Sequence, residues 1–233
     1  MTEKIIRASK IGFPCDRNLW YSVNHYEEKT SKKSQRIFDI GTALEPVIIN
    51  WLIDDGWKVD YNQGSLNAEK ELFINVNGGK IAGHYDAIMT KNLFDPLIMI
   101  DIKTMNERAF KLWKNSGTLE KYPQYVDQLH TYTKAWNDTA SNAGSQTRIN
   151  TLAIVGVNKN NSVMHIDFFD YDEARTQEII KRAERIFKSD QAPEPGERLQ
   201  DWSCNYCGYS GVCNFQEKEN TINHEELKLM EEF

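Results

Sequence analysis

Cys15 stands alone near the start of the 233-residue chain, and Cys204, Cys207 and Cys213 form a C-x2-C-x5-C run near its end. A link among these sulfurs would bring the first and last segments together and close a loop of about two hundred residues, a strong constraint on the unfolded chain. Two disulfides would do this, yet a chain of this length can bury a large core without covalent staples. The first seven residues contain no long apolar stretch, and the strongest internal runs, 97–100 and 153–157, are too short to cross a bilayer. A cytosolic protein with reduced thiols is expected. Reduced thiolates at C-x2-C spacing bind zinc or an iron–sulfur cluster, so a metal centre pinning the termini of one domain is the first expectation.

The net charge of −6 neither demands nor excludes nucleic acid, because charge is unevenly spread. Residues 1–36 hold eight Lys/Arg against four Asp/Glu, whereas 216–233 hold six Glu against two Lys. A locally basic face can meet phosphates even on an acidic molecule. A solvated charged surface explains the same counts.

No repeat or low-complexity block appears, and the only linker-like stretch is 191–197, just before the cysteine run. Leu44, Val47, Ile48, Trp51 and Leu52 form the stripe of an amphipathic helix that ends at Asp54-Asp55-Gly56, with Pro46 in its first turn. Residues 71–90 read as a β-hairpin turning at Asn77-Gly78-Gly79, and 97–102 as a third strand. Residues 107–136 look helical, with Pro123 at a helix start and Tyr125, Leu129, Tyr132 and Trp136 along one face. A second hairpin (149–157 and 162–169) and a helix over 172–188 complete a mixed α/β domain.

Asp86 ends one expected strand, and Asp101-Ile102-Lys103 closes its neighbour, so three charged groups can converge at one sheet end. Two carboxylates there could hold Mg²⁺ or Mn²⁺, and the lysine could neutralise charge developing on a phosphodiester or orient water. Two similar tripeptides, Glu27-Glu28-Lys29 and Glu226-Leu227-Lys228, lie in polar surroundings, whereas Asp101 and Lys103 interrupt an apolar strand where charge needs a partner or a task. A strand-end ion pair without chemistry is the plain alternative. Glu45, near Gly41 in the first turn of its helix, could add a third carboxylate or merely face the helix macrodipole. Gln128 and Tyr132, at i and i+4, share a helix face and can donate to a phosphate or base edge. His84 reads as facing solvent.

Taken in order, Cys15-Asp16-Arg17-Asn18-Leu19-Trp20-Tyr21, Gly41-x3-Glu45, Gly83-His84-Tyr85-Asp86, Asp101-Ile102-Lys103, Gln128-x3-Tyr132 and Cys204-x2-Cys207-x5-Cys213 resemble the RecB-like branch of the PD-(D/E)xK nucleases, especially Cas-four-type CRISPR-associated exonucleases and the AddB nuclease domain. The resemblance runs from about residue 8 to 215. It implies a restriction-endonuclease-like core, a mixed central sheet flanked by helices, and Mg²⁺- or Mn²⁺-dependent cleavage of DNA from an end. By the same resemblance Asp86 and Asp101, with Glu45, are metal ligands, Lys103 is the catalytic lysine, and Gln128 with Tyr132 supports the DNA strand. Cys15, Cys204, Cys207 and Cys213 would hold a 4Fe-4S cluster, with zinc the alternative. Relatives commonly carry histidine where Glu45 aligns; glutamate stands there in phage exonuclease-like cousins and is a sound Mg²⁺ ligand.

The implied organisation is one nuclease domain over 1–233. Residues 1–36 and 190–215 form the cluster region, 37–189 the core and 216–233 an acidic tail. The expected partner is DNA, at ends or as single strands, with no membrane; an integrase, helicase or recombination partner and the oligomeric state stay open. A non-catalytic DNA-end-binding module and an endonuclease are the competing functions.

Overall fold

The computed structural model describes residues 3–61, 71–194, 204 and 207–213. Its strands form two sheets. β1 (Ile5–Arg7), β4 (Gly79–Gly83) and β3 (Leu72–Val76) make the smaller one, in the order β1-β4-β3. β2 (Lys58–Tyr61), β5 (Ala87–Thr90), β6 (Ile98–Met105), β7 (Thr151–Asn158) and β8 (Met164–Asp170) make the larger, in the order β2-β5-β6-β7-β8. In the larger sheet β6 and β7 run parallel and the other neighbours antiparallel. A parallel pair needs a crossover, and α4 (Glu107–Ser116), α5 (Thr118–Lys121) and α6 (Pro123–Asn142) supply it.

Local sequence explains most elements. β3 alternates buried Leu72, Ile74 and Val76 with exposed Phe73 and Asn75, the period-2 mark of a half-covered strand. It turns into β4 at Asn77-Gly78, where Gly78 takes φ 102°, open to glycine at no steric cost. β7 is buried from Leu152 through Asn158, as befits a central strand covered on both faces. Met99, Leu152 and Ile154 belong to the core beneath α4 and α6, whereas Ile100, Ile102, Ala153 and Val155 join Ile48, Ile49 and Leu52 of α3 (Lys32–Asp54) on the other face. The helical 107–136 region breaks at Gly117, φ 79°, into separate pieces.

Several elements depart from the sequence reading. The apolar run expected to be one strand ending at Asp86 instead divides: β4 stays in the smaller sheet, residues 84–86 cross over, and β5 enters the larger sheet. Asp86 therefore immediately precedes a strand. Asp101 and Lys103 lie inside β6, which continues to Met105. α3 begins at Lys32, where the Ser31 side chain accepts a hydrogen bond from Ser34 N at 3.0 Å, so Glu45 and Pro46 lie well within the helix. That removes the macrodipole reading of Glu45. Pro46 donates no hydrogen bond to the preceding turn, and the buried residues of α3, Ile48, Ile49 and Leu52, follow it.

The two ends of the chain do meet. α2 (Asp16–Val23) touches the cysteine run through Asn18 Nδ2, which donates to Cys207 Sγ at 3.3 Å, and Tyr21 Oη, which donates to Val212 O at 3.3 Å. Arg182 of α7 (Glu173–Lys188) bonds Asp16 Oδ1 at 2.7 Å, Ile11 O at 2.6 Å and Phe13 O at 2.5 Å. The linker-like stretch is described only to residue 194, and the acidic tail, including Glu226-Leu227-Lys228, lies outside the described residues.

Candidate active site

The site forms where β5 leaves β6. Their ladder ends with Ala87 opposite Ile100, so the β6 backbone loses its strand partner on that side just before Asp101 and Lys103. Asp86 takes over: its Oδ2 accepts a hydrogen bond from Ile102 N at 2.7 Å. A side chain thus replaces the missing strand, which fixes the carboxylate beside Asp101 and opens the sheet edge there.

Asp101 is fully buried and Asp86 nearly so, at 0% and 7% exposure. Gln128 Nε2 of α6 donates to Asp101 Oδ1 at 2.9 Å and lies 3.4 Å from Tyr132 Oη. Asp101 Oδ2 sits 2.6 Å from Lys103 Nζ yet accepts no hydrogen bond of regular geometry, so this contact is a charge contact. Lys103 Nζ also stands 4.9 Å above the Tyr125 ring. Asp86, Asp101, Lys103, Gln128 and Tyr132, five positions singled out in the sequence, therefore meet.

Burial raises the Asp86 pKa well above the usual carboxylate range, and the neighbouring Asp101 charge raises it further; Lys103 and the Ile102 amide only partly offset this. Burial raises Asp101 as well, against the pull of Lys103. For Lys103 burial works against the charged form, but the two aspartates outweigh it and hold the ammonium above its ordinary range. The pair shares one cation between two carboxylates, a net negative pocket that favours either a proton or a further cation.

Glu45, on α3, contributes electrostatically to Asp86 and raises its pKa. Among the described residues no three His, Cys, Asp or Glu side chains are arranged to hold a metal ion. The donor set nevertheless suits Mg²⁺, which takes one or two protein carboxylates and fills its shell with water and phosphate oxygens. Asp86 and Asp101 are the carboxylates such an ion would use. His84 is exposed, as expected.

Tyr125 is the residue that motif reasoning passed over. It lies three positions before Gln128 and seven before Tyr132, so helical spacing places all three on one face.

Of the four cysteines, Cys15 is buried and Cys204, Cys207 and Cys213 are half-buried. Burial raises the Cys15 pKa, and Cys207 and Cys213 are close enough to raise it further. Cys207 N donates to Cys204 O at 3.2 Å. The sulfur donors suit zinc or an iron–sulfur cluster, although here too no ion-holding group forms among the described residues.

No curated protein matches the chain. Among solved structures, that of SSO0001 is similar over 93% of this chain and 88% of its own, with a TM-score of 0.54 at 20% identity, a likeness of fold. The structure of LHK-Exo in complex with dAMP overlaps 78% of this chain and 85% of its own, at TM-score 0.47 and 16% identity. The family model of the PD-(D/E)XK nuclease superfamily matches residues 25–214, which include every carboxylate, lysine and glutamine of the cleft. The chain belongs to the PD-(D/E)XK nuclease superfamily.

Proposed function

We propose that this protein is a divalent-metal-dependent DNA exonuclease that hydrolyses phosphodiester bonds from DNA ends and favours single strands, within the RecB-like branch and near the Cas-four-type enzymes. The observation that carries the reading is the meeting of Asp86, Asp101 and Lys103 at a break in one sheet edge, with Gln128 bonded to Asp101. Mg²⁺ or Mn²⁺ held by Asp86 and Asp101, with Glu45 completing its shell, would polarise the phosphate and acidify a water. Gln128 fixes Asp101 Oδ1 and so holds the carboxylate in place beside Lys103. Lys103 offsets the charge of the reacting phosphate and orients the attacking water. Tyr132, beside Gln128, supports the strand.

Cys15, Cys204, Cys207 and Cys213 form a 4Fe-4S centre in this reading, a staple between residues 1–36 and 190–215 around the nuclease core of 37–189. The proximity of Cys207 and Cys213 to Cys15 supports it. Zinc is the competing occupant: a brown anaerobic preparation favours the cluster, and a colourless one with stoichiometric zinc overturns it. Cytoplasmic residence and an integrase, helicase or recombination partner belong to the same reading; no helix among the described residues is long and apolar enough to cross a membrane.

The deciding experiment digests end-labelled linear strands and closed circles with Mg²⁺ or Mn²⁺, using Asp101→Ala as control. Linear strands shorten and circles survive if the proposal holds. Cut circles make the protein an endonuclease, and activity unchanged in Asp101→Ala ends the catalytic assignment.

A further inference from the structure

Lys103 Nζ has two partners of different kinds. Asp101 Oδ2 lies 2.6 Å away and the centre of the Tyr125 ring 4.9 Å away. An ammonium drawn only by carboxylates settles against them, where it competes with a divalent ion for the same oxygens. The negative face of an aromatic ring also attracts a cation, but without a lone pair, so the ring steadies the charge and leaves its N–H groups for water or phosphate.

The ring is fixed by its surroundings. Tyr125 belongs to the first turn of α6, and the start of that helix is fastened at two places. Arg175 of α7 donates through Nη2 to Pro123 O at 3.1 Å and through Nε to Asp127 Oδ1 at 2.7 Å. Gly12 packs so closely against Gln124 that an added Cβ would lie 2.5 Å from the Gln124 Cα. The Tyr122 ring tilts against that of Tyr125, with centroids 5.2 Å apart. Three residues on, Gln128 bonds the other oxygen of Asp101, so one helix face sets both the carboxylate and the cation beside it.

We propose that Tyr125 is a positioning residue for hydrolysis: its ring face anchors the Lys103 ammonium against capture by Asp86 and Asp101, and so keeps the cation available to the reacting phosphate. The role belongs to the ring and not to the phenol hydroxyl. The inference rests on the hydrolytic reading and adds to it a residue outside the carboxylate, lysine and glutamine set.

The test places Tyr125→Leu and Tyr125→Phe in the wild-type and Lys103→Met backgrounds and follows end-labelled DNA with Mg²⁺ or Mn²⁺. Tyr125→Leu lowers kcat about ten-fold with KM changed little, Tyr125→Phe restores most of the rate, and in Lys103→Met the leucine costs nothing further. A second readout needs neither metal nor turnover. In proton–carbon NMR of the metal-free protein, the Cε protons of Lys103, assigned by their absence in Lys103→Met, resonate upfield of ordinary lysines because a ring lies beside them. Tyr125→Phe keeps that shift and Tyr125→Leu abolishes it. Phenylalanine as damaging as leucine overturns the proposal, as does an equal loss from leucine in the Lys103→Met background. An ordinary Lys103 shift in the wild type overturns it as well, even where Tyr125→Leu fails to fold. A wild type inactive with either metal sinks the hydrolytic reading alone, because the resonance still decides whether the ring holds the ammonium.

Discussion

Asp86 holds two tasks that substitution can separate. Its Oδ2 accepts from the Ile102 amide at 2.7 Å in place of a strand, and its charge sits against Asp101 in a buried pocket. Asp86→Asn keeps an acceptor for Ile102 N and turns an amide donor toward Asp101; Asp86→Ala leaves the amide orphaned. An unsatisfied buried amide costs about 1–3 kcal/mol, and a chain of this size shifts its Tm by about 2–4 °C per kcal/mol, so Asp86→Ala should melt about 2–12 °C below Asp86→Asn. Both variants should lose at least about 100-fold in nuclease activity, because either removes a charge that a divalent cation requires. The pH dependence carries a sign of its own. Because the folded pKa of Asp86 is raised, its own contribution to the stability of the metal-free protein is fully present below the unfolded value of about 3.9 and is lost as pH rises through the folded pKa; Asp86→Asn lacks this loss. Melting curves in chelator between pH 4 and 8, set beside nuclease rates in Mg²⁺, measure both effects. Equal melting of the two variants would refute the strand-replacement role, and an active Asp86→Asn would refute the ligand role.

Lys103→Met keeps the stem over Tyr125 and removes the ammonium, so kcat on end-labelled DNA should fall about 100-fold or more while oligonucleotide binding changes much less. His130 is buried, accepts from Asp172 N at 3.0 Å and donates through Nδ1 to Val126 O at 2.8 Å, an arrangement that requires the neutral ring. Burial depresses its pKa, so its stabilising contribution is present above the usual histidine value and is lost as pH falls through the depressed one; Tm should drop on acidification, and less steeply in His130→Gln. Gly156 lies under the fully buried Trp113, whose Cζ3 would be 2.1 Å from an added Cβ. Gly156→Ala should therefore cost about 3 kcal/mol, read as a Tm lower by about 6–12 °C.

Much of the cleft was legible in residue order because charge in an apolar strand is costly. Asp101 and Lys103 stood out against Ile98, Ile100 and Ile102 for that reason, and Gln128 and Tyr132 by their shared helix face. The stretch from Leu72 to Thr90 was harder. Its alternation is continuous enough to suggest one hairpin, and only the crossover at residues 84–86 reveals that β4 and β5 serve different sheets. The start of α3 was missed for a related cause: its first turns are exposed, so the periodic burial signal that marks Leu44 to Leu52 is absent there. Glu45 was placed near a helix start and proved to be deep within the helix.

Residue identity and spacing alone determined the mixed α/β class, the Asn77-Gly78 turn, the carboxylate–lysine strand and the helix face bearing Gln128 and Tyr132, because each follows from chemistry within a few positions. Tertiary structure decided that β5 stops opposite Ile100, that the Asp86 side chain pairs with the vacated Ile102 amide, and that Lys103 rests on Tyr125. Those features depend on which strand lies beside which and where one ends before its neighbour. Such pairings join residues far apart in the chain and are selected by total burial, which no local pattern encodes.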